Sequence, residues 1–254
     1  IYLQTSRTDD KIYCTISSHR VSQLLSRVVS RCQTTLIHLS NSQLNLSLIF
    51  LNFSMKALSL ILGTKGFFAP AFLFLSLNLA VGNWAVGIPQ IKSKIGFTES
   101  ELGIAILCFG LGTFVMLFTA PKLVQKFGLA RICLVSVIGV CLGIILPFIT
   151  SDYLMLCFFL FILGNFTGLI DIGMNTLVSQ LEQDYEVNIM SASHGFFSLG
   201  GVVSGGLGAL CLSQFKIVPL WYVVGISILL IILNLYFYRY YRHIDVEKTE
   251  TKKF

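Results

Sequence analysis

The sequence predicts an all-α polytopic membrane bundle of six transmembrane helices arranged as a 3+3 inverted repeat. Three observations predict it. Of 254 residues, 55% are hydrophobic and 12% charged, with mean hydropathy +0.79, where soluble domains are about a quarter charged. The apolar runs approach the ~20 residues that carry a helix across a bilayer, and they lack the strict alternation of barrel strands. Those runs also form two triplets of like character, and a repeat with an odd number of spans must lie inverted in the membrane.

The expected organisation is a non-native or disordered leader over 1–54, a cytoplasmic N-terminal segment over 55–66, a six-helix transmembrane domain over 67–238 and a charged cytoplasmic tail over 239–254. The leader is rich in Ser, Thr, Gln and Asn, with Asp9 and Asp10 its only acids. That composition suits an organelle transit peptide or translated sequence ahead of a start at Met55. The apolar stretch Leu44–Leu62 is interrupted by Asn52 and Lys56 and is not counted as a seventh span.

The first span runs from about Phe67 to Ile88 and ends at Pro89, with Asn78, Gly82, Ala85 and Pro89 on one face. The second, about Leu102 to Thr119, carries Gly103, Gly110 and Gly112. The third, about Ile132 to Ile149, has nothing more polar than Ser136. The fourth, Tyr153 to about Leu181, holds the aspartate Asp171 well inside an apolar run. At about 100° per residue, Gly164, Gly168, Asp171, Asn175 and Ser179 fall within an arc of roughly 80°. A carboxylate facing lipid costs several kcal/mol, so this face should look into a bundle or a watery cavity. The fifth span, about His194 to Leu212, has Gly201 and Gly205 at the small-xxx-small spacing of helix packing. The sixth, about Val218 to Tyr238, has Asn234 as its strongly polar residue. Each triplet thus opens with an asparagine-bearing helix (Asn78 and Asn83; Asn165 and Asn175), continues with a glycine-rich one and closes with a plain apolar one.

The net charge of +6 reflects basic residues between and after apolar runs, which read as topology signals and not as a nucleic-acid surface. Lys122, Lys126 and Arg131 share a side with Lys56, Lys65, Arg239, Arg242 and Lys248, while Lys92, Lys94 and Lys216 lie opposite. Positive-inside places both termini in the cytoplasm of an inner-membrane protein. The seven cysteines include no CxxC pair and read as small apolar fillers, so no metal and no cofactor is expected.

Asp171-Ile-Gly-Met-Asn175, followed by Ser193-His194-Gly195-Phe196-Phe197-Ser198-Leu199-Gly200, resembles helices four and five of the fucose-permease-like, YbjJ-like branch of the major facilitator superfamily. Trp84-Ala85 and Pro89 fit the same group. The resemblance covers about Phe67 to Tyr238 and implies the amino-terminal six-helix half of a twelve-span transporter. In the loop after span two, Leu123, Lys126 and Gly128 fit the superfamily's gating-loop pattern, but Gln125 stands in place of its aspartate. Ala85 stands where fucose permease has an aspartate, so a two-carboxylate sugar–proton mechanism does not carry over.

The resemblance and the polar faces together imply secondary transport of a small polar solute, with Asn78, Asn83, Trp84, Asp171, Asn175 and His194 at the substrate or ion site. Asp171 is the group that would load and release a proton, since a carboxyl withdrawn from water holds its proton more readily. The expected partners are the solute, the lipid bilayer and a second six-helix half or a homodimer partner. Two other readings stand beside this one. Asp171 could tie two helices, His194 could pack on the acidic loop and Trp84 could sit at the membrane interface, in a truncated remnant or assembly partner. An intramembrane serine protease needs a GxSx setting, and Gly201-Val202-Val203-Ser204 has the wrong spacing.

Overall fold

The computed structural model describes residues 7–8, 11–12, 55–214 and 218–244. Most of the leader and the end of the tail lie outside the described residues, and so do the expectations attached to them. The chain divides into two units, Ile1–Phe53 and Ser54–Phe254. In the first, β1 (Arg7–Thr8) pairs antiparallel with β2 (Lys11–Ile12).

The second unit opens with a short helix, α1 (55–63), followed by α2 (Lys65–Ile95). The sequence pattern ends the first span at Pro89, yet α2 runs through Pro70 and Pro89 and stops at Gly96, whose φ of 83° only glycine adopts readily. Membrane helices tolerate interior prolines because neighbouring groups re-satisfy the freed carbonyl. Helix α3 (Glu99–Phe127) starts on a capping box in which Thr98 and Glu101 exchange side-chain and backbone bonds, and it too passes through a proline, Pro121. Gly128 separates it from α4 (Leu129–Gly143) with φ 87° and ψ 144°.

The third span is not one helix. Pro147 has no N–H and its ring conflicts with the carbonyl of Gly143, so the chain turns at Ile144–Ile145 and resumes as α5 (Leu146–Ile149). Lys94 then donates to the carbonyls of Phe148 and Ile149 at the end of α5, both at 3.1 Å. Helix α6 (Tyr153–Tyr185) is capped by the Asp152 carboxylate, which accepts from Met155 N–H at 2.8 Å. At 33 residues it is about 50 Å long and outruns the predicted span, taking Glu182 and Asp184 into its last turn. Helix α7 (Met190–Ala209) starts before the predicted His194 because the Glu182 carboxylate receives the N–H groups of Ile189 and Met190, at 2.6 and 2.8 Å. It continues as a π-helical turn, Leu210–Gln214, and α8 (Pro219–Tyr241) completes the bundle.

Six of these segments are long and apolar enough to cross a membrane. The most extensive contacts are α3 with α6 and α2 with α7, then α4 with α6 and α2 with α8. Exchanging the triplet α2, α3, α4 with α6, α7, α8 maps each of these pairs onto another, which is the pairing an inverted 3+3 repeat requires. Lipid is as apolar as leucine, so these seams depend on small residues that let backbones approach. On α3 and α6, Gly112 abuts the Phe161 carbonyl, Gly164 the Phe109 carbonyl and Gly168 the Thr113 carbonyl. On α2 and α7, Gly200 abuts the Leu75 carbonyl, Gly82 the Ser204 side chain and Gly208 the Val86 side chain. Of the two glycines singled out by spacing, Gly201 meets Asn78, while Gly205 meets nothing within 4 Å.

The main core joins Leu73, Phe74 and Leu77 of α2, Val137 and Val140 of α4, Leu160, Leu163 and Ile170 of α6, and Val223 and Leu230 of α8. A smaller cluster of Ala120, Ile132 and Leu169 sits against Leu123. Leu123 therefore packs at the α3–α4 turn, with Lys126 over the Phe127 ring at 5.1 Å.

Candidate functional site

Asp171 lies on the surface of the bundle, about halfway along α6. Asn175, one turn further, donates to the Asp171 main-chain oxygen at 2.8 Å and to its carboxylate at 3.3 Å. His194, in the second turn of α7, is close enough to interact electrostatically with that carboxylate. The imidazole also meets the Phe74 ring of α2 edge-on, at 5.1 Å between centroids. One turn along α2 from Phe74, Asn78 donates to the Phe197 carbonyl of α7 at 2.9 Å.

Two pairings are thus in place, Asp171 with Asn175 on α6 and His194 of α7 against Phe74 of α2, with Asn78 one turn along α2 held to α7. Ser198 joins them on the exposed face of α7, its hydroxyl donating to the His194 carbonyl at 3.3 Å. Chemically this is a carboxylate with an amide one turn away and an imidazole within electrostatic range. It can exchange a proton and hydrogen-bond a polar solute. Glu182, in the last turn of α6, is engaged with the start of α7, one turn before His194.

Two residues read from the sequence as cavity groups are placed elsewhere. Asn83 is buried and accepts the Tyr222 hydroxyl of α8 at 2.7 Å. Trp84 is buried at 9% exposure and stacks on Phe109 of α3, with centroids 6.5 Å apart and planes 13° from parallel. Each is rotated away from Asn78 by the helix pitch and ties α2 to a neighbour. The polar face of α6 divides in the same way. Gly164 and Gly168 go into the α3 seam, and Asp171 and Asn175 remain outside it.

Sequence reasoning missed Phe74, whose signal was its place one turn before Asn78 on the same face. It also missed Tyr222, for which a hydroxyl in an apolar run gives no direction. Ser204, the serine weighed for a protease, is buried with its hydroxyl on the Gly201 carbonyl at 2.8 Å.

Six spanning helices in two inverted triplets, with a carboxylate set between helix seams at mid-span, define a polytopic membrane protein of transporter architecture. Residues 68–253 match the Major Facilitator Superfamily, and the chain belongs to that family. It is 30% identical over 162 residues to an uncharacterized MFS-type transporter of Yersinia pestis, covering 64% of this chain and 42% of that protein. It is 27% identical over 142 residues to the membrane protein MosC of Rhizobium meliloti, covering 55% of this chain and 35% of that one. An uncharacterized transporter of Sinorhizobium fredii is 24% identical over 135 residues, covering 53% and 36% of the respective chains. The chain therefore spans less than half the length of these relatives. The family is one of transporters, and the Yersinia and Sinorhizobium relatives are described as transporters, which points away from an enzyme.

Proposed function

We propose that this chain forms one six-helix half of a secondary transporter of the fucose-permease-like branch, moving a small polar solute with a proton carried by Asp171. The observation that supports this reading is an exposed carboxylate midway along α6, Asp171, hydrogen-bonded by Asn175 and within electrostatic range of the exposed His194 on α7. A carboxylate at the bilayer centre costs about 2.5–3.5 kcal/mol or more against lipid. A second six-helix half, or a second copy of this chain, covers that face and leaves a watery cavity between the two. Asp171 then alternates between water on either side as the halves rock, and Asn175 and His194 hold the solute or the carboxyl in place.

In this arrangement both termini lie in the cytoplasm of an inner-membrane protein, following the basic residues. Residues 67–238 are the membrane domain, with the segment 55–66 and the tail 239–254 on the cytoplasmic side. The end of α3 that carries Leu123 and Lys126, with Gly128 after it, serves as the cytoplasmic gating segment. The solute is neutral or zwitterionic, because the face offers one carboxylate and no lysine or arginine among the described residues.

The test is solute-driven proton movement in vesicles holding the native protein, read with an internal pH dye across a panel of neutral and zwitterionic solutes. Asp171→Asn should abolish accumulation driven by a pH gradient while sparing solute exchange. Unchanged accumulation removes Asp171 from the coupling role. The mass of the native complex extracted from its membrane separates a second half from a second copy.

A further inference from the structure

Cys133 and Cys141 are buried in the core, as small apolar fillers are. Cys108 on α3 and Cys157 on α6 are partly exposed and lie on one seam. The two helices run in the same direction, and their register is fixed at several levels. The Tyr153 hydroxyl donates to the Glu101 carbonyl at 2.8 Å, Gly112 abuts the Phe161 carbonyl and Gly164 the Phe109 carbonyl. Gly112 and Phe161 are as far apart in sequence as Cys108 and Cys157. One turn earlier on both helices, the same register therefore sets the two cysteines side by side. The Cys157 thiol interacts with both the Cys108 thiol and the Tyr153 hydroxyl. Glycine contacts hold the two backbones close just beyond the pair, and a disulfide needs Cα atoms about 4.4–6.8 Å apart.

We propose that Cys108 and Cys157 form a redox-active dithiol that closes into an interhelical disulfide by exchange with a small apolar disulfide. One protein thiolate attacks a sulfur of the reagent, forming a mixed disulfide and releasing one reagent thiol. The second thiolate attacks the protein sulfur of that mixed disulfide and releases the other reagent thiol. The protein loses two hydrogens, and the reagent is reduced to two thiols that take them up. The pair lies about one turn into α6, near the end opposite the basic loops, where an apolar reagent reaches it from the bilayer. The bridge joins α3 directly to α6 and closes a loop containing α4 and α5. This inference is independent of the transport reading, since it concerns a seam within one bundle.

The experiment uses the full chain in mild detergent with Cys14, Cys32 and Cys211 replaced by serine, titrated with 4,4′-dithiodipyridine, whose released thiopyridone absorbs light. The pair should release two thiopyridones for each reagent consumed, and peptide mapping should recover Cys108 and Cys157 in one linked species that dithiothreitol separates. The midpoint of thermal unfolding should rise on oxidation and fall back on reduction. Cys108→Ser or Cys157→Ser should instead leave one stable pyridyl adduct and no shift in the midpoint. Separate, persistent adducts on both cysteines of the unsubstituted pair would overturn the proposal. If the serine background does not fold, the peptide map of the unsubstituted chain gives the same two outcomes.

Discussion

Asn83 takes the Tyr222 hydroxyl inside the bundle, whereas Asn78, five positions earlier on α2, reaches toward α7. Five residues turn an α-helix by about 140°, so one asparagine must face the core when the other faces the α7 side. Polarity alone made both look like cavity groups. Their separation in angle was legible, but which of the two faced inward depended on α8, whose tyrosine carries no directional mark in an apolar run. Tyr222→Phe should cost about 1–3 kcal/mol, because it strands the Asn83 oxygen in the core without a donor. Adding Asn83→Leu should recover part of that loss. Unfolding of the purified protein by dodecyl sulfate titration measures both, and equal stability of Tyr222→Phe and the parent would show the bond to be worth nothing. That Asp171 lies outside the packed core was legible for the opposite reason: a carboxylate deep in an apolar run has few places to go, whatever its neighbours are.

Among elements, existence and order of the six spans were readable from hydropathy, and their ends were not. Pro89 and Pro147 carry the same local signal, yet α2 continues through one and the third span breaks at the other. Beyond the break, Lys94, more than fifty positions away in sequence, caps the end of α5 by donating to its last two carbonyls. Glycines show the same dependence on partners. Spacing marked Gly201 and Gly205, and of these only Gly201 lies in the α2–α7 seam, against Asn78, alongside Gly200, Gly208 and Gly82. A Cβ at Gly112 would strike the Phe161 backbone, so Gly112→Leu should part α3 from α6 and lower the unfolding midpoint by many degrees, or prevent recovery of folded protein. Gly103→Ala is the control. Nothing lies within 4 Å of that position, and alanine is the better helix former by about 1 kcal/mol, so the variant should be as stable as the parent or slightly more so. Comparable damage from both would mean that the seam is not what the glycines serve.

For the whole molecule, the orientation assigned from Lys and Arg is open to a direct check. Ser100 and Glu186 are exposed and lie at opposite ends of the bundle. In a background without accessible cysteines, Ser100→Cys should react with a membrane-impermeant maleimide added outside right-side-out vesicles, and Glu186→Cys should react only after the vesicles are opened. The reverse pattern would invert the topology. The triplet arrangement was visible in the sequence as a repeated order of helix types, but the pairing of α2 with α7 and α3 with α6 was not, because helix contact leaves no trace in composition. That pairing also governs the order in which the protein can be made. Helix α2 begins at Lys65 and its main partner α7 at Met190, so at about 5–20 residues per second the ribosome finishes the first surface roughly ten seconds before its mate exists. During that interval Asn78 and Gly82 have nothing of their own chain to pack on, and the first triplet must wait in the translocon or in lipid until the second arrives.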